Sequence, residues 1–253
     1  MSVFVETRGQ GPSLTLLHGW GLNGAVWDSM ADALAPYFTL HIVDLAGHGQ
    51  SADVAVTTLD AMADAIAHVM PARTHVLGWS LGGQVALRVA MRHAGRVEKL
   101  ILTATTPRFL DAPDWPNGKP HAVFDDFARR LAGDYAKTIR EFLALQMLKQ
   151  PNARAIVHAL QARVSARGVP GAAHLQASLA VLRSSDLRAE LSSIAHQALV
   201  IQGGRDALTA EPAARAMATA IPRARYALIP DAAHAPFLSH ESEFIQHVRT
   251  FLS

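Results

Sequence analysis

The sequence predicts an α/β fold: a mostly parallel central sheet with helices on both faces and one inserted all-helical segment. Three observations carry this expectation. Short apolar runs alternate with stretches of helical spacing through residues 13–105. The alternation stops between Pro107 and Ser185, where only helical patterns remain. It then resumes and continues to residue 252. Short buried strands separated by helices form parallel sheets that are covered on both faces.

The elements follow in order. "SLTLLHG" (13–19) is a buried strand ending in glycine, and "AVWDSMADAL" (25–34) has apolar residues at a spacing near 3.6. "FTLHIVDL" (38–45) is a strand and "LDAMADAIAHVM" (59–70) a helix. "THVLG" from residue 74 is a strand, "LGGQVALRVAMRH" from residue 81 a helix, and "KLILTAT" (99–105) a strand. A Pro- and Gly-rich loop, "DAPDWPNGKP" (111–120), opens the insertion. Helical patterns follow at 121–132, 134–148, 151–166 and 171–183, punctuated by Gly133, Pro151 and Gly168-Val169-Pro170. "ALVIQGG" (198–204) and "ARYALIP" (224–230) are the last strands, with helices at 211–220 and 240–252. Residues 1–106 and 186–253 are thus expected to form the core domain, and 107–185 a helical cap returning over it. Insertions at the carboxyl ends of parallel strands commonly build binding sites.

Composition narrows the function classes. The chain of 253 residues is 50% hydrophobic and 17% charged, a globular balance that excludes a disordered chain. It has no cysteine, so disulfide and thiol chemistry are excluded, and a cytoplasmic location fits. The N-terminus lacks a basic segment followed by an apolar core, so no signal peptide is expected. No apolar run approaches the ~20 residues that span a bilayer, so no membrane association is expected. No histidine pair has metal-ligand spacing with nearby acids, so no metal site is expected. A net charge of +2 gives no argument for nucleic acid, and a monomer is expected. Charge is unevenly spread, however. Residues 129–183 hold nine Lys/Arg and two acids, a net +7, while the remainder, with 14 bases and 19 acids, is −5. That asymmetry suggests an acidic partner or substrate near the insertion; a set of solvated helix faces is the plainer alternative, and both stay open on charge alone.

The chemistry starts at Gly78-Trp79-Ser80-Leu81-Gly82, a Gly-x-Ser-x-Gly corner between a strand and a helix. Such an elbow presents a serine on a tight turn whose glycines let neighbouring backbone approach. A serine hydroxyl needs a base, and the base needs a carboxylate to hold its tautomer. Asp206 follows one late strand and His234 the next. Asp231 competes for the carboxylate role but is better suited to the turn that carries His234. An oxyanion hole needs two N–H donors. Leu81, after the serine, supplies one at a helix N-terminus, and Trp20, in the tight loop after the first strand, supplies the other. His18 and His48 are expected to organise turns; His75 and His196 are expected to be structural.

"LLHGWGLNGAVW", "DLAGHGQS", "GWSLGG", "GGRDALT" and "DAAHAPF" together resemble the α/β-hydrolase superfamily across almost the whole chain. "HGWG", Trp79, "DWPNGKP", "REFLALQ" and "AAHAPF" resemble more narrowly the BioH-type carboxylesterases of biotin synthesis. The resemblance implies hydrolysis of the methyl ester of pimeloyl-acyl carrier protein by Ser80, Asp206 and His234. It implies that Trp20, Ser80, Leu81, His234 and the strip Phe142, Leu143, Ala144, Leu145 and Gln146 bind substrate. It also implies an acidic carrier protein docking on Lys137, Arg140 and Arg154, with Lys149 and His158 behind them. Glu141 stands where that family carries a base. Other readings remain open at this level: a general short-chain carboxylesterase, a C–C bond hydrolase, a lyase-like enzyme of menaquinone synthesis, or a hydrolase-fold ligand receptor without turnover.

Overall fold

The computed structural model describes residues 2–147, 150 and 152–253. Seven strands form one sheet in the order β1-β3-β2-β4-β5-β6-β7. They are β1 (Val5–Gly9), β2 (Ser13–Leu17), β3 (Thr39–Val43), β4 (Thr74–Trp79), β5 (Val97–Thr103), β6 (Gln197–Gly203) and β7 (Ala224–Ile229). Only β1 runs antiparallel to its neighbour; every other pairing is parallel. β1 is absent from the sequence reading. Its residues, Val-Glu-Thr-Arg-Gly, contain no apolar run because an edge strand buries little of either face.

Successive side chains of a strand face opposite ways, and the two cores show it. Leu100 and Leu102 of β5 join one apolar cluster, and Ile101 joins the other. Helices α2 (Leu59–Val69), α3 (Leu81–Arg92) and α8 (Glu211–Ala220) cover the first face. Helices α1 (Asp28–Leu34), α9 (Pro236–Ser239) and α10 (Glu241–Leu252) cover the second.

Among the described residues, four α-helices lie between β5 and β6: α4 (His121–Gly133), α5 (Tyr135–Gln146), α6 (Ala153–Arg167) and α7 (Ala172–Ser184). Phe124, Leu131, Leu175 and Leu179 from α4 and α7 extend one core. Leu143, Leu160 and Val164 from α5 and α6 extend the other. The insertion therefore straddles the sheet. Within 107–185 the described residues hold isolated bridges but no strand. No described helix is long and apolar enough to cross a membrane.

Arg167, at the end of α6, anchors the insertion. Its guanidinium pairs with Glu6 at 2.6 Å and with the buried Asp44 at 3.3 Å. Asn23, in the loop after β2, donates to the carbonyls of Val164 and Gly168 at 2.9 and 2.8 Å. Arg167 is thus an internal cation rather than part of a solvated basic face.

Candidate active site

The site begins at the corner between β4 and α3. Ser80 has φ 55° and ψ −117°, a conformation that costs a residue with a Cβ about 1–3 kcal/mol. The surrounding bonds hold it there. Its N–H donates to Thr103 O at 3.1 Å, and its carbonyl accepts from Gly83 and Gln84 N–H and from the Thr105 hydroxyl. The two motif glycines are steric requirements. A Cβ on Gly78 would lie 2.3 Å from the Gly82 carbonyl oxygen, and one on Gly82 would lie 2.3 Å from that of Leu17. The Ser80 hydroxyl itself makes no hydrogen bond to another described residue.

The parallel strands deliver the other predicted groups to the same edge of the sheet. Asp206 follows β6 and His234 follows β7, and His234 Nδ1 lies 2.9 Å from Asp206 Oδ2. Both side chains are buried. Burial disfavours the Asp206 carboxylate, yet His234 and the Thr209 hydroxyl and N–H outweigh it and hold the carboxyl below its ordinary range. The carboxylate also accepts from the Leu208 N–H and from Gln202. An ionised Asp206 requires that Nδ1 carry the proton and donate, which leaves the Nε2 lone pair free. The imidazole is fixed from behind as well. Trp79 Nε1 donates to the His234 carbonyl at 2.8 Å, and the His234 N–H donates to Gln146 O at 3.2 Å. Asp231 is exposed and pairs with Arg205, so it does not compete for His234.

The loop after β2 is built on two buried histidines. His18 Nδ1 donates to Gly19 O while its Nε2 accepts from Leu45 N–H. His48 Nδ1 donates to Ala46 O while its Nε2 accepts from Gly21 N–H. Each bond pair demands a neutral ring. Burial pushes His18 down to about 4, and burial with the neighbouring His18 pushes His48 down to about 3. Trp20 is 2% exposed and donates from its indole to Leu175 O in α7. Its ring meets Phe127 and Phe142 edge-on at 5.4 and 5.2 Å. The main-chain N–H groups of Trp20 and Leu81 have no acceptor among the described residues.

A cavity of about 340 Å³ opens beside Ser80, between the sheet edge and the insertion. Trp20, Ser80, Phe142 and Leu145 line it. The rest of the predicted strip points elsewhere. Leu143 packs in the second core, Ala144 is exposed, and Gln146 is buried with its carbonyl on the His234 N–H. On a helix only residues three or four apart share a face, so five consecutive residues cannot all meet one ligand. Sequence reading missed much of the wall, including Phe109, Phe124, Phe127, Leu179 and Leu182. The spacing of Phe124 and Phe127, and of Leu179 and Leu182, marks an apolar face but not what that face covers.

The basic residues divide. Arg129 and Arg130 pair with Asp126, Arg130 also with Glu141, and Arg183 with Asp125. Lys137, Arg140, Arg154 and His158 are exposed and without ion pairs among the described residues. Lys149 lies outside the described residues.

Comparison with known proteins shows the family. Residues 16–247 match the Alpha/beta hydrolase family. A pimeloyl-[acyl-carrier protein] methyl ester esterase of Nitrosomonas europaea is 43% identical, covering 96% of this chain and 97% of its own. A protein of the same name from Chromobacterium violaceum is 42% identical, covering 97% and 96%. Among solved structures, a hydrolase from Pseudomonas aeruginosa PA01 superposes with a TM-score of 0.84 at 27% identity, covering 99% of this chain and 94% of its own.

Proposed function

The chain belongs to the alpha/beta hydrolase family, and from that premise we propose that it is a serine carboxylesterase acting on the methyl ester of pimeloyl-acyl carrier protein. The observation that carries the reading is the buried Asp206–His234 pair, with Ala207 and Leu208, which follow Asp206, lining the same mostly apolar cavity as Ser80. The relatives' shared name supports the substrate.

In this reading the Ser80 hydroxyl attacks the ester carbonyl and passes its proton to His234 Nε2. Asp206 stabilises the imidazolium. The N–H groups of Trp20 and Leu81 hold the oxyanion; removing one such donor typically costs ~10²–10³-fold in rate. The tetrahedral intermediate collapses, His234 protonates the departing methoxide, and methanol leaves. Water, deprotonated by His234, then hydrolyses the acyl-serine and frees the carboxylate. Apart from the ester and water, these steps call on no metal or organic cofactor.

The insertion is read as a cap domain over residues 107–185 that holds the methylene chain. Each buried CH₂ is worth about 0.8 kcal/mol, which suits an acyl chain. Lys137, Arg140 and Arg154, with His158, are read as the surface that meets the acidic carrier. The three bases Lys137, Arg140 and Arg154 have no ion pair among the described residues, unlike Arg130, Arg167 and Arg183. We read the enzyme as a cytoplasmic monomer; a carrier-bound substrate of biotin synthesis supports the location.

A substrate panel tests the reading. Carrier-bound pimeloyl methyl ester is expected to turn over with a far higher kcat/KM than free short-chain esters or a ring-opened dienoate. Equal or better turnover of the free esters would assign the chain to a general carboxylesterase instead.

A further inference from the structure

Among the described residues, three charged side chains interrupt the mostly apolar wall of the cavity: Lys119, Arg130 and Glu141. Arg130 and Glu141 form an ion pair with each other, and Arg130 also approaches Asp126 at 4.0 Å. Their charges are matched within the insertion. Lys119 is different. It is half-buried, and it has no acidic partner among the described residues. Its ammonium makes one hydrogen bond, to the main-chain carbonyl of Ala207 at 2.5 Å.

An ammonium has three donors, so two remain uncommitted. The anchoring bond also fixes where they are. Ala207 follows Asp206 directly and itself lines the cavity, as does Leu208. Lys119 therefore stands on the same chamber wall as Ser80, held there from the loop that carries Asp206. Desolvating a cation among phenylalanine and leucine side chains without a counter-charge is unfavourable. A ligand that brings an anion into this chamber relieves that cost, and a neutral ligand does not.

We propose that Lys119 is a carboxylate-binding subsite within the acyl cavity, and that the protein therefore also takes free half-esters of dicarboxylic acids. The ester carbonyl lies at Ser80 and the free carboxylate on the Lys119 ammonium. The reaction is the one already described: the half-ester and water give the dicarboxylate and the alcohol, through an acyl-serine at Ser80. This rests on the esterase reading for its chemistry, but its binding claim is measured separately.

The test uses the full chain carrying Ser80→Ala, which binds without turnover. Calorimetry compares monomethyl pimelate, which carries one carboxylate, with dimethyl pimelate, which carries none. The half-ester is expected to bind about tenfold more tightly, the scale of one hydrogen-bonded charge. Raising the salt concentration narrows the difference. Adding Lys119→Gln, which keeps a donor for Ala207 and removes the charge, abolishes the preference; Lys119→Arg retains it. Equal binding of the two esters, or a preference that survives Lys119→Gln, overturns the proposal. A lysine that only buttresses the Ala207 loop gives one of those two results. Failure of the esterase reading is a different observation: the unmodified protein would leave both esters intact.

Discussion

The main-chain N–H of His234 donates to the carbonyl oxygen of Gln146, 3.2 Å away. One residue belongs to the turn after β7 and the other to the last turn of α5, so the insertion is bonded directly to the histidine of the site. A second bond runs in parallel, from Gln150 Nε2 to Asp231 O at 2.7 Å. The end of α5 is therefore not a free flap; it is part of what holds the imidazole.

The Gln150 bond is the one that mutation can remove. Gln150→Leu keeps the bulk and loses the donor. We expect kcat to fall about fivefold, the worth of one buried hydrogen bond near 1 kcal/mol, with KM for a small ester changed less. Steady-state kinetics on a free ester measure it. An unchanged kcat would show that the bond to Gln146 alone positions the turn.

Ser80 is held at a φ of 55° that glycine adopts without strain. Ser80→Gly is expected to be inactive yet about 1 kcal/mol more stable than Ser80→Ala, which keeps the Cβ. Chemical denaturation of the two variants compares them. Equal stabilities would mean that the elbow stores no strain at this residue.

The two buried histidines make stability depend on pH. His18 and His48 titrate near 4 and 3 in the folded chain, below the ordinary 6.5. Between those values and pH 6.5 the unfolded chain binds protons that the folded chain refuses, so stability falls as pH falls. From pH 6.5 to 5 each ring contributes at most about 2 kcal/mol to that loss. Denaturation midpoints measured at both pH values should show it. His48→Gln, which does not titrate, should reduce the drop by about half even if it lowers stability throughout.

The unpaired cations of the insertion give a prediction that separates docking from chemistry. Reversing charge at Lys137, Arg140 and Arg154 should lower kcat/KM for the carrier-bound ester by about tenfold or more, while a small free ester loses little. Added salt should slow the unmodified protein on the carrier-bound ester alone. Equal losses on both substrates would move the docking surface elsewhere.

Much of the fold and site was legible because their constraints are local. Gly78 and Gly82 are forced by backbone approaching from Gly82 and Leu17, and Asp206 and His234 sit immediately beyond strand ends that apolar runs mark. What escaped depends on tertiary contact. β1 carries no apolar run. Arg167 reads as a surface base until its pairing with Glu6 and Asp44 is seen. Phe142 and Leu145 face the cavity while Leu143 faces the core, a division that needs the helix's orientation as well as its spacing. Lys119 lies in a stretch read as a loop and as a family motif, and nothing in the sequence says that the loop folds back against Ala207.

The most direct measurement is intact mass. Purified protein, with Ser80→Ala beside it, is incubated with pimeloyl-carrier-protein methyl ester, and the carrier is weighed. The account predicts that the unmodified protein removes the methyl group and that Ser80→Ala leaves it in place. Demethylation by Ser80→Ala at the full rate, or none by the unmodified protein, would contradict it.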